Sequence, residues 1–107
     1  MERVGWAWRV RPGMADAYDR EHAEIWPDLA QLLRDSGVRA FHIHRGGETV
    51  FAHLDVDDYA RMLDLTSRAA VSVRWEEHMS RLIEYPGDAP QRLRHVWSLP
   101  PDAASGP

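Results

Sequence analysis

Apolar residues recur along this chain at a period of two, then 3.6, then two in a pair of adjoining runs, then 3.6, and finally two. Period two is the mark of a strand with one buried face, and 3.6 of a helix with one buried stripe. Val4, Trp6, Trp8 and Val10 alternate with Arg3, Gly5, Ala7 and Arg9, which predicts a strand closed by Pro12-Gly13. From about Met14 to Asp35 the residues Tyr18, His22, Ile25, Trp26, Leu29 and Leu33 follow i, i+3 and i+4 spacings, with Gly37 as the C-terminal stop. Pro27 removes one N–H and crowds the carbonyl of Ala23, so a kink or a restart is expected there. Val38–Arg45 and Glu48–Val56 read as a hairpin across Gly46-Gly47. A second helical region runs from about Asp58 to Ile83, in one or two pieces, with Val71, Trp75, His78, Met79 and Leu82 on one stripe. Residues 85–90 are loop, and Leu93–Leu99 is the last alternating run.

The order β-α-β-β-α-β is that of ferredoxin-like α+β folds, an antiparallel sheet with both helical segments on one face. A chain of 107 residues holds one such domain, expected over residues 1–100, with a disordered tail over 101–107 that has nothing to bury. Pairing across a Gly46-Gly47 turn assigns Phe41, Ile43, Val50, Ala52 and Leu54 to the helix-packed face, and His42, His44, Thr49, Phe51, His53 and Asp55 to the other. That second face, with Phe51 and strand-one tryptophans on it, calls for cover. The sheet of an identical subunit supplies it, which predicts a homodimer.

Composition removes whole classes of chemistry. All 13 positive charges are arginine, so no lysine is present to form a Schiff base. Cysteine is absent, and with it disulfides, thiolate nucleophiles and cysteine-ligated metals. A net charge of -4 with no basic stripe argues against nucleic acid. No apolar run approaches the ~20 residues of a membrane span. A small cytoplasmic domain is expected. No phosphate loop, G-x-G-x-x-G or G-x-S-x-G occurs, so nucleotide binding and α/β-hydrolase chemistry have no support.

Two constellations remain. Tyr18 and His22, one helical turn apart, put a phenol beside an imidazole, and histidine is the side chain that ordinarily titrates near neutrality. Trp26 and Trp75 would add flat apolar walls suited to the C–H faces of a sugar ring. The same spacing also fits an amphipathic helix with a satisfied boundary histidine. The rival set is His42, His44 and His53 with Asp55 on the opposite sheet face, where His42 and His53 stand on a diagonal. Such a set could hold a metal, although H-x-H pairs are mostly surface or interface residues. Glu76-Glu77 reads as a solvated helix face, with Glu76 beside Trp75.

The run Tyr18-Asp19-Arg20-Glu21-His22-Ala23-Glu24-Ile25-Trp26-Pro27-Asp28-Leu29 closely resembles the Y-x-x-x-H-x-x-I-W-P-x-L signature of the L-rhamnose mutarotases. Gly37, Arg74-Trp75 and Leu99-Pro100 extend the resemblance over residues 1–100. It implies a homodimeric α+β enzyme that interconverts the α and β anomers of L-rhamnose or a related monosaccharide with no cofactor and no metal. It further implies His22 as the catalytic residue and Tyr18 as a substrate contact. Two positions depart from the family pattern. Phe41 stands where the family has a tyrosine, and Trp75-Glu76 where it has tandem tryptophans. Phe41, Trp75 and Glu76 are accordingly expected to touch the ligand, with Trp26 in support. A small dimeric α/β-barrel enzyme of other chemistry, monooxygenase- or decarboxylase-like, is the competing reading, as is a sugar-binding module without turnover.

Overall fold

The computed structural model describes residues 1–100, and the tail expected over 101–107 lies outside the described residues. The elements run β1 (Glu2–Val10), α1 (Ala15–Ala23), α2 (Pro27–Asp35), β2 (Val38–Gly46), β3 (Thr49–Val56), α3 (Tyr59–Arg68), α4 (Ala70–Met79), β4 (Ile83–Glu84) and β5 (Gln91–Leu93). The sheet is antiparallel in the order β2-β3-β1-β4, and β5 also pairs with β1. This is the ferredoxin-like arrangement, with both helical segments packed against one face.

Pro27 produces a restart rather than a kink. Trp26 is extended (φ -62°, ψ 126°), as a residue preceding proline prefers, and Pro27 occupies the first turn of α2, where a missing N–H costs nothing. The second helical region divides likewise at Ala69, which is extended between α3 and α4. It ends at Met79, and Ile83 belongs to β4. Gly37 ends α2 with a φ of +93°, and its carbonyl accepts from Asp57 N–H at 3.0 Å. A Cβ there would also lie 3.4 Å from that of Asp57. Gly37→Ala should therefore cost about 1–2 kcal/mol of stability in urea denaturation, while Gly46→Ala, at an ordinary φ with open space around it, should stay within about 0.5 kcal/mol.

The hairpin turns one residue later than the glycine pair suggested. Gly46 pairs with Thr49, so Gly47, at φ +60°, and Glu48 form the turn. Every partner moves by two positions, which leaves each side chain on its expected face. His42 thereby lies directly opposite His53 rather than on a diagonal. The strand-one tryptophans do change faces relative to expectation. Trp6 pairs with Ala52 and Trp8 with Val50, so both point toward the helices, and Gly5 and Ala7 occupy the outer face beside His53 and Phe51. Phe51 is 51% exposed there.

The expected strand Leu93–Leu99 is not formed. Only Gln91–Leu93 pairs with β1, and Val96, Trp97 and Leu99 lie exposed beyond it. Among the described residues, no strand pairs with the alternating Leu, Val and Trp there. The edge is shared instead with β4, which pairs Ile83 and Glu84 with Val10 and Arg9. The core has two centres. Trp8, Val10, Val50 and Ala52 pack with Tyr18, Leu29, Trp75 and Met79, while Val4, Leu54 and Val56 pack with Met62. Trp6 and Phe41 touch both.

Candidate active site

A cavity of about 570 Å³ lies between the sheet and the helices, against these two centres. Trp6, Trp8 and Phe41 line it from the sheet, Tyr18 and His22 from α1, and Trp75 and Glu76 from α4. The strand period of two and the helical spacing of four deliver these side chains to one space. All five residues expected to act or to touch ligand (Tyr18, His22, Phe41, Trp75 and Glu76) are brought together. Trp26 stands behind the wall. Its ring meets Trp75 edge-on at 5.1 Å and lies 5.4 Å from His78, so it backs Trp75 rather than facing the cavity.

His22 is half-buried, with its ring 4.4 Å from that of Tyr18 and edge-on to Trp75 at 5.6 Å. Its Nδ1 lies 3.0 Å from the Tyr18 carbonyl. A carbonyl can only accept, so Nδ1 carries the proton and Nε2 of the neutral ring keeps its lone pair. Tyr18 is 2% exposed, and its hydroxyl has no hydrogen-bond partner among the described residues. Burial, above all, pushes its titration well above the ordinary phenol range; the neighbouring Trp8 indole opposes this in part. The indole N–H of Trp8 is likewise buried, and the two groups sit beside each other without hydrogen-bond geometry. Two unsatisfied polar groups on a cavity wall are costly unless a ligand answers them.

A smaller recess of about 300 Å³ shares Tyr18, His22 and Ile43 and is bounded by Asp19 and Arg45. Arg45 is committed to Asp19, with Nε on Oδ1 at 2.7 Å and Nη2 on Oδ2 at 2.5 Å. That bond holds the Asp19 carboxyl below its usual range. The pair ties α1 to β2, while His78 Nε2 meets Glu21 Oε2 at 2.8 Å and ties α4 to α1. The helix bearing His22 is thus anchored on both sides.

Tyr85 joins the site from outside the periodic segments. It lines the cavity from the loop after β4, stands edge-on to Trp8 at 6.5 Å, and donates from its hydroxyl to Glu76 Oε2 at 2.9 Å. It falls in a Pro/Gly-rich loop with no periodicity, so no pattern in the sequence marks it. The rival histidines do not assemble a centre. His53 Nε2 is engaged by Asp55 at 2.8 Å, and among the described residues no three His, Asp or Glu side chains converge as a metal requires.

A family model described as L-rhamnose mutarotase matches residues 3–99. The L-rhamnose mutarotase of Rhizobium meliloti (strain 1021) is 37% identical over 90 residues, covering 82% of this chain and 86% of that protein. That of Jannaschia sp. (strain CCS1) is 33% identical over 106 residues, covering 94% of this chain and 100% of the relative. The crystal structure of the L-rhamnose mutarotase of Formosa agariphila superposes with a TM-score of 0.76 at 25% identity, over 92% of this chain and 98% of that one. A type-II polyketide cyclase from Streptomyces glaucescens, tetracenomycin F2 cyclase, shares the fold at a TM-score of 0.67 and 19% identity, over 92% of this chain and 96% of its own.

Proposed function

The chain belongs to the L-rhamnose mutarotase family, and from that premise we propose that it interconverts the α and β anomers of L-rhamnose or a close monosaccharide, with His22 as the proton-handling group. It is an isomerase acting on a carbohydrate. The observation that carries the assignment of His22 is its tautomer, locked by the Tyr18 carbonyl so that Nε2 is a base beside a cavity walled by aromatic rings. Ring opening moves the proton of the anomeric hydroxyl to Nε2 as the bond from the anomeric carbon to the ring oxygen breaks. The imidazolium so formed returns that proton to the ring oxygen, leaving His22 neutral; the aldehyde rotates, and closure on its other face reverses both transfers. Tyr18, kept protonated by burial and lacking a partner, donates a hydrogen bond to the oxygen on which charge develops. Phe41 and Trp75 offer apolar faces to the C–H side of the ring, and Glu76 accepts from its hydroxyls. No step in this scheme calls for a metal or cofactor.

The test is exchange between anomeric proton signals by NMR, with L-rhamnose first in a panel of sugars. Exchange accelerated by the protein over buffer is the expected result. No acceleration for any sugar in the panel would refute the enzymatic reading and leave a binding module.

The proposal includes a cytoplasmic location, a single domain over residues 1–100, no nucleic-acid partner, and a homodimer formed by the outer sheet face. No helix among the described residues is long and apolar enough to cross a membrane. Support for the dimer comes from Phe51, half-exposed at the centre of a face that the helices leave open, with His53 beside it in the strand register. Phe51→Asp should raise the dimer dissociation constant at least ~10-fold in sedimentation or light scattering, since it removes an apolar anchor and buries a charge. An unchanged mass at micromolar concentration would exclude this face.

A further inference from the structure

Asp64, Glu76 and Asp88 are among the residues that line the cavity, and among the described residues no arginine does; the Asp64 carboxylate is paired with Arg68 at 2.7 Å. A carboxylate on such a wall disfavours phosphorylated sugars and sugar acids and accepts from hydroxyl donors. Glu76 is the carboxylate that the wall itself holds, through the hydroxyl of Tyr85 at 2.9 Å. Burial first, and then the Glu76 charge, raises the Tyr85 hydroxyl far above its ordinary titration range, so it remains a donor throughout. One donated bond leaves most of the roughly four acceptor positions of a carboxylate open. The Tyr85 ring is itself steadied edge-on by Trp8, a residue of the sheet. The chain therefore fixes a negative acceptor at the mouth of an aromatic cavity from two elements, α4 and the loop after β4.

We infer that Tyr85 is a positioning residue that aims the Glu76 carboxylate into the cavity, and that the pair selects neutral, hydroxyl-rich sugars and rejects anionic ones. The choice of ligand rests on the mutarotase reading. The test is a binding measurement and does not depend on turnover.

Tryptophan fluorescence suits it, because Trp6, Trp8 and Trp75 line the cavity. Wild type, Tyr85→Phe, Glu76→Ala, Glu76→Gln and the Tyr85→Phe/Glu76→Ala double variant would be titrated with L-rhamnose and L-rhamnose 1-phosphate. Each of Tyr85→Phe and Glu76→Ala should weaken L-rhamnose binding about 10-fold, in the range of a hydrogen bond to a charged group. The double variant should bind no more weakly than Glu76→Ala, since Tyr85 acts through that carboxylate. Glu76→Gln should recover part of the lost affinity while narrowing the discrimination against the phosphate. Where exchange is measurable, the loss should fall on KM rather than kcat. Tyr85→Phe binding within twofold of wild type would overturn the inference, as would losses that multiply in the double variant or a wild type that binds no L-rhamnose. Wild type that binds L-rhamnose but does not speed its exchange would count against the mutarotase reading alone, and the titrations would still decide the role of the pair.

Discussion

His22→Ala is expected to slow anomeric exchange by at least ~10²-fold while the protein remains folded. The ring is half-buried and its bond to the Tyr18 carbonyl is local to one helical turn, so truncation removes the base without unseating α1. That helix is held independently by Arg45 on Asp19 and by His78 on Glu21. Alanine is also the best helix former at that position. The measurement is the NMR exchange rate at saturating sugar, with circular dichroism to verify the fold. Exchange at the wild-type rate in a folded His22→Ala protein would remove the mechanism proposed for this cavity.

Leu54→Ala should destabilise the protein by about 3 kcal/mol and lower its Tm by on the order of 10–20 °C. Leu54 is fully buried and stands between Val4 on β1 and Phe41 on β2 in the register of the sheet. It packs in the second core centre with Val56 and Met62. Neither neighbouring strand can close the gap without breaking its ladder, so the lost contacts are not recovered. Urea and thermal denaturation measure the effect. A loss below about 1 kcal/mol would mean that this centre collapses around the void.

Much of this architecture was legible in the sequence because the determinants are local. Pro27 and Gly37 act through their own dihedral angles, and alternation in Val4–Val10 and Phe41–Leu54 is fixed by the pleat. Even the misplaced hairpin turn preserved the faces, since a shift of two positions cannot invert a side chain. Failures came where the outcome depends on residues distant in the chain. Leu93–Leu99 has a strand's alternation, yet pairing stops at Leu93. The faces of Trp6 and Trp8 are set by the register with β3, which no turn adjoining β1 dictates. Within the site, the Tyr18–His22–Trp26 row was visible from helical spacing, but its meaning depended on tertiary contacts that put Trp26 behind Trp75. Tyr85 reaches Glu76 through a loop, where spacing carries no directional information.

The divided edge of β1 bears on the loop that walls the candidate site. Residues 85–90, which bring Tyr85, Asp88 and Pro90 to the cavity, are tethered by a ladder of two residues on one side and three on the other. Ladders that short open at a fraction of the free energy needed to unfold the sheet centre, where β1 pairs with β3 from Glu2 to Arg9. The molecule therefore holds His22 on a helix tied to its neighbours on two sides and Tyr85, the partner of Glu76, on the most weakly tethered segment of the sheet. Amide protons of residues 83–93 should be among the first to exchange with solvent, ahead of those in the β1–β3 ladder, which native-state hydrogen exchange would read directly.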